Sequence, residues 1–174
     1  MSNGSFRLRR RCQTVIDRLE LPATLSIEIL CRHISARRGR PLRLHPLPRE
    51  AATAGACGMW LATDAEDHIF YEQRTAPLHQ EHIVLHEIGH VLFDHWASHE
   101  DGGIGWGSFL PDLDVNAVQR LLARTNYATS QEQEAELFAS LLGPLMSETS
   151  RGHADGALGR LEAALGVNPP HDTA

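Results

Sequence analysis

There is no lysine among the 174 residues: all 16 Lys and Arg positions are arginine. With the abundant Ala and Gly, that bias fits a GC-rich genome and carries no chemistry of its own. Cysteine is scarce as well. Cys12, Cys31 and Cys57 are odd in number and far apart, which excludes a disulfide framework and a Cys-x-x-Cys metal site. Buried or partly buried free thiols are expected instead. Long apolar runs are missing, none approaching the roughly 18 residues of a membrane span. The basic start (Arg7, Arg9, Arg10, Arg11) is followed by Cys12-Gln13-Thr14-Val15-Ile16-Asp17 and not by the apolar stretch of a signal peptide, so a cytoplasmic protein is expected.

What is present suits one folded domain spanning 1–174. The 42% hydrophobic and 22% charged content is ordinary for a globular chain with a real core. The net charge of −6 is unevenly spread. Residues 1–49 hold 11 arginines against Asp17, Glu20 and Glu28, a balance of +8, while residues 50–174 hold 5 arginines against 19 acids, a balance of −14. A basic segment can meet nucleic acid or an acidic partner. Its arginines are not interleaved with aromatic side chains that would stack on bases, so a solvated helix face is the expected reading and direct nucleic-acid binding is not.

Apolar positions Leu8, Cys12, Val15, Ile16 and Leu19 have helical spacing and predict a basic N-terminal helix over 7–20. A second helix is expected from Thr24 to Arg38, ending at Gly39. Pro41 to Pro48 alternates apolar and polar residues between prolines and predicts an edge strand. Gly58–Ala62 and His68–Tyr71 read as two further strands about a turn. A long helix is expected from Pro77 to about Ser98. A Gly-rich loop then covers 99–111, with helices at 112–125, 130–147 and 155–165 and a frayed tail. The prediction is an α+β fold: a small three-stranded sheet, a chemistry-bearing helix after it, and surrounding helices, with the core at about 25–145.

That helix carries His86-Glu87-Ile88-Gly89-His90. Residues four apart lie one turn apart on one helix face, so both imidazoles can reach one ion. Neutral imidazole is a good zinc ligand. Glu87 can reach the open side of such an ion and act as general base on its water. In a chain with 11 histidines the pattern arises by chance in roughly 5% of shuffled sequences, so its surroundings matter. It sits in an apolar run (Ile83, Val84, Leu85, Ile88, Val91, Leu92, Phe93), where unpaired polar groups are costly. The extended motif with Gly and His after the second histidine is excluded by Phe93 and Trp96. A third ligand must come from elsewhere, and Glu132, Glu134 and Glu136 compete. Glu134 shares the apolar face of Phe138 and Leu141, whereas the other two are turned about 200° away. Glu134 is therefore the expected ligand.

His86 to His95, taken with Glu134-Ala135-Glu136-Leu137-Phe138-Ala139 and Leu141-Leu142-Gly143-Pro144, resembles the ImmA/IrrE family of zinc metallopeptidases. The resemblance covers about residues 25–145. It implies a zincin-like active-site helix, Zn2+ held by His86, His90 and Glu134, and Glu87 as catalytic base. It further implies a protein substrate inside the cell: a helix-turn-helix repressor, often encoded nearby, whose cleavage switches on stress or mobile-element genes.

Tyr127 is a candidate for stabilising the oxyanion of the tetrahedral intermediate, with simple packing as its alternative. His82, one turn before His86, could line the cleft or sit at the exposed helix start. His95 is expected to be a supporting or structural residue. The loop at 102–107 with Trp106 is a candidate lid. The competing functional expectation is a non-proteolytic zinc-containing regulator that binds a repressor, toxin or DNA through the basic segment.

Overall fold

A computed structural model describes residues 3–53, 55–63, 65–95 and 127–164. Its order is α1 (Asn3–Leu19), α2 (Ile27–Arg38), β1 (Leu42–Pro46), α3 (Arg49–Thr53), β2 (Gly58–Ala62), β3 (Asp67–Tyr71), α4 (Pro77–Leu92) and α5 (Thr129–Ala164). The fold is α+β, and all three expected strands are present. The expected helix at 112–125, the Gly-rich loop and the tail lie outside the described residues. Among the described residues no helix is long and apolar enough to cross a membrane.

Strand order is β1-β3-β2, with β1 parallel and β2 antiparallel to β3. Alternation then sorts the side chains between two faces. Ile69 and Trp60, with Leu42 and Leu44, join the main core beneath the helices, whereas Met59, Leu61 and Phe70 point the other way. That second face is covered by Leu47 and by Ala51 of α3. The five-residue α3 was not expected, because it is too short to show periodicity.

Helix ends follow local chemistry. Ser26 caps α2, its Oγ accepting from the Ile29 backbone N–H, so the helix starts at Ile27 and not Thr24. Gly39 closes it in the left-handed conformation at φ 65°. α1 docks Cys12, Ile16 and Leu19 into the core and packs on α5, leaving Arg7, Arg9 and Arg10 exposed. Cys12 and Cys31 are buried thiols as expected, but Cys57 is exposed.

Two long-helix expectations are corrected. α4 stops at Leu92, because Asp94 turns left-handed at φ 51°, the Asp94 N–H donates to Val91 O and the His95 N–H donates to His90 O. This is a Schellman ending. Arg38 secures it, donating from Nη1 to Val91 O and to Asp94 Oδ1. The two expected C-terminal helices are one, Thr129–Ala164, with Pro144 inside it.

α4 is the centre of the molecule. It packs on β2, β3 and above all α5, burying Val84, Leu85, Ile88 and Val91 with Phe138, Ala139 and Leu142, while Ile83 lies against Gly58 of β2. Gly89 lets the helices approach closely: a Cβ there would stand 2.9 Å from Ala135 Cα.

Candidate metal centre

On α4, the one-turn spacing brings His86 Nε2 within 3.1 Å of His90 Nε2. The first turn of α5 supplies a carboxylate to the same point. Glu132 Oε2 lies 3.4 Å from His86 Nε2, and Glu132 Oε1 lies 3.5 Å from His90 Nε2. The three residues form a His-His-Glu group whose ligand atoms all lie within 4.8 Å of one another. With bonds of about 2.0–2.1 Å, a tetrahedral zinc site has ligand-to-ligand edges of about 3.3 Å. The His86–His90 separation lies close to that edge, and each Glu132 oxygen stands near it from one of the two rings.

The outer nitrogens are held as well. His86 Nδ1 lies 3.5 Å from Glu136 Oε2, which also meets His82 Nε2 at 3.1 Å. His90 Nδ1 lies 3.0 Å from His95 Nδ1. Each nitrogen of the His86 ring thus faces a carboxylate that can only accept, Glu136 at Nδ1 and Glu132 at Nε2. Burial, then the neighbouring His86 and His95, push the His90 imidazole down to about 3, so it is neutral, as a ligand must be. Two ring nitrogens and a carboxylate converging on one point suit a divalent cation.

Glu87 follows His86 on α4 and turns towards β2. Its side chain is buried beside Gly58, where a Cβ would stand 2.6 Å from Glu87 Oε1. Glu87 Oε2 is buried with no hydrogen-bond partner. Burial, reinforced by the Glu132 carboxylate, pushes Glu87 up to about 8, against the pull of a hydrogen bond from the Trp60 backbone N–H. Tyr127 stacks on the His90 ring, centroids 3.7 Å apart at 15°. Burial, then the Glu87 and Glu132 carboxylates, raise its phenol, which stays protonated and able to donate.

The structure therefore brings together His86, His90, Glu87 and Tyr127, four of the five residues singled out from the sequence. The fifth, Glu134, expected beside them, stands elsewhere. It is buried as its helical face predicts, but the burial takes it behind the site. Its Oε2 is 3.0 Å from His95 Nε2 and its Oε1 is 2.9 Å from Arg11 Nη1. The acid beside the histidine pair is Glu132, half-exposed at the edge of the apolar stripe. A signal for it was present: Glu132 and Glu136 form an i, i+4 row facing the i, i+4 row of His82, His86 and His90. His82 belongs to that row through Glu136.

Compared with protein-family models, with curated proteins and with solved structures, the chain shows no match.

Proposed function

We propose that this protein is a zinc-dependent metalloendopeptidase acting in the cytoplasm on a protein substrate, such as a helix-turn-helix repressor encoded nearby. The observation that carries the reading is the convergence of His86 Nε2, His90 Nε2 and the Glu132 carboxylate within metal-binding distance of one another, with a buried, unpartnered Glu87 oxygen beside them. Two imidazoles and a carboxylate favour zinc among the divalent metals. The motif resemblance to the ImmA/IrrE family supports the choice of substrate class.

His86, His90 and Glu132 would hold the ion. When bound, it supplies a Lewis acid for the scissile carbonyl and lowers the pKa of its water towards about 7. Glu87 takes the proton of the attacking water and hands it to the leaving amine. The dry setting that raises its pKa brings the carboxyl closer to neutral working pH, and a nearby cation lowers it again. The Tyr127 phenol, stacked over His90, donates to the developing oxyanion. β2 is an edge strand packed on α4, and among the described residues no strand pairs with its outer side. A substrate strand added there runs past Glu87 and pairs through backbone hydrogen bonds.

The test is co-expression with the neighbouring repressor, comparing wild type with Glu87→Gln. Wild type should yield a cleaved band, and the variant should keep its zinc and yield none. Cleavage that survives in Glu87→Gln removes the mechanism. A second reading, a non-proteolytic zinc-containing regulator, draws on the exposed Arg7, Arg9 and Arg10 of α1. Under it Glu87→Gln is silent, and replacing those arginines abolishes partner binding.

A further inference from the structure

Behind His90 runs a chain of polar groups that the peptidase mechanism does not use. His90 Nδ1 meets His95 Nδ1 at 3.0 Å, His95 Nε2 meets Glu134 Oε2 at 3.0 Å, and Glu134 Oε1 meets Arg11 Nη1 at 2.9 Å. His90, His95 and Glu134 are all buried. The Arg11 guanidinium is steadied over the Phe93 ring, 5.2 Å from its centroid. Four segments contribute one residue each: α1, α4, the turn after α4, and α5.

We propose that His95 and Glu134 are positioning residues that fix the tautomer and ring plane of His90 so that its Nε2 lone pair faces the ion, with Arg11 anchoring Glu134. This deepens the metal-centre reading and rests on it. The proton count along the chain has one direction. Glu134 is paired with an arginine and accepts only, so His95 donates to it from Nε2, and a single ring proton sits there. His95 Nδ1 is then an acceptor, and His90 must donate from Nδ1. The His90 Nε2 is left with a lone pair aimed at His86 Nε2 and Glu132. Reversing any one of these bonds would put a proton where the ion must go.

The local backbone explains why His95 is available. In a Schellman ending the residue after the left-handed position returns over the third residue from the helix end. That pair is commonly apolar, and here it is His95 over His90. Had α4 continued unbroken, His95 would stand five residues on, about 140° around the helix, and could not reach the same ring.

The probe is Co2+, followed by its visible d–d absorption, with Zn2+ affinity measured against a chelator. Wild type, His95→Leu, His95→Asn and Glu134→Gln are compared, and the thermal unfolding of each metal-free protein is recorded. Outer partners of metal-bound histidines are worth roughly 10–100-fold in affinity. His95→Leu should weaken both metals by that factor and alter the cobalt spectrum. His95→Asn places an amide oxygen where Nδ1 stands and should restore much of the affinity. Glu134→Gln keeps the side chain's size but can donate to His95 and reverse the chain, so it should weaken binding by about 10-fold even where unfolding is unchanged. It decides the matter if His95→Leu does not fold. Cobalt binding by wild type, matched in affinity and spectrum by every folded variant, overturns the positioning role. A wild type that takes up neither metal overturns the metal centre itself.

Discussion

Gly89 and Ala135 mark the closest approach of α4 and α5: a side chain at Gly89 would press on Ala135 Cα at 2.9 Å and on its Cβ at 3.2 Å. This contact sets the distance between the helix that carries His86 and His90 and the helix that carries Glu132. Gly89→Ala gains about 1 kcal/mol in helix propensity and loses about 1–3 kcal/mol to overpacking. Backbone cannot give way as a flexible side chain can, so the loss wins. The metal-free protein should unfold at lower temperature and bind Co2+ more weakly. Unchanged melting and affinity would show that the helices separate freely.

Glu132 and Glu134 differ by two residues and stand on opposite sides of His90's ring system. In the proposed metal centre Glu132→Ala removes a direct ligand, so it should lower zinc affinity by more than the roughly 100-fold upper range of an outer partner. Glu134→Gln should cost less. Competition with a chelator measures both. A larger loss for Glu134→Gln would restore Glu134 as the ligand.

The buried Glu87 makes the metal-free protein sensitive to pH. Its carboxyl titrates near 8 when folded, chiefly because burial disfavours the charge, against 4.5 ordinarily. Between those values the folded state holds a proton that the unfolded chain releases, so stability falls as pH rises. Glu87→Gln has no such proton to lose. With chelator present, urea titrations should show the variant matching wild type below pH 4.5. Its advantage should grow to the order of a few kcal/mol by pH 8, at about 1.4 kcal/mol per pKa unit. An advantage independent of pH would contradict the assignment.

Asp94 holds a left-handed backbone at φ 51° so that His95 can fold back on His90. Asp94→Gly should keep that turn and the metal affinity, while losing the Arg38 contact at the surface. Asp94→Val should cost about 1–2 kcal/mol in backbone strain and also weaken metal binding, because His95 is carried away. Denaturant melts and cobalt titration together check this. Equal affinity in both variants would mean that the turn does not position His95.

Much of this is legible in one dimension. Alternation between prolines marks the first strand, two short apolar runs about a turn mark the others, and the i, i+4 spacing of His86 and His90 brings their imidazoles together on any α-helix. The apolar face containing Phe138 and Leu141 correctly predicts that Glu134 is buried. It does not predict which acid stands beside His86 and His90, because that pair lies at the edge of the face and not beneath it. Glu132 occupies that edge.

The end of α4 was illegible for a different reason. No glycine or proline marks it, and Asp94 adopts its turn with Arg38, 56 residues away, holding it. Periodicity decides which residues share a face of one helix. Which acid meets the histidines depends on how α5 is rotated and pressed against α4. That is settled by close packing at Gly89 and Ala135 and by the burial of Phe138, Ala139 and Leu142, contacts between residues far apart in the chain that no local spacing encodes.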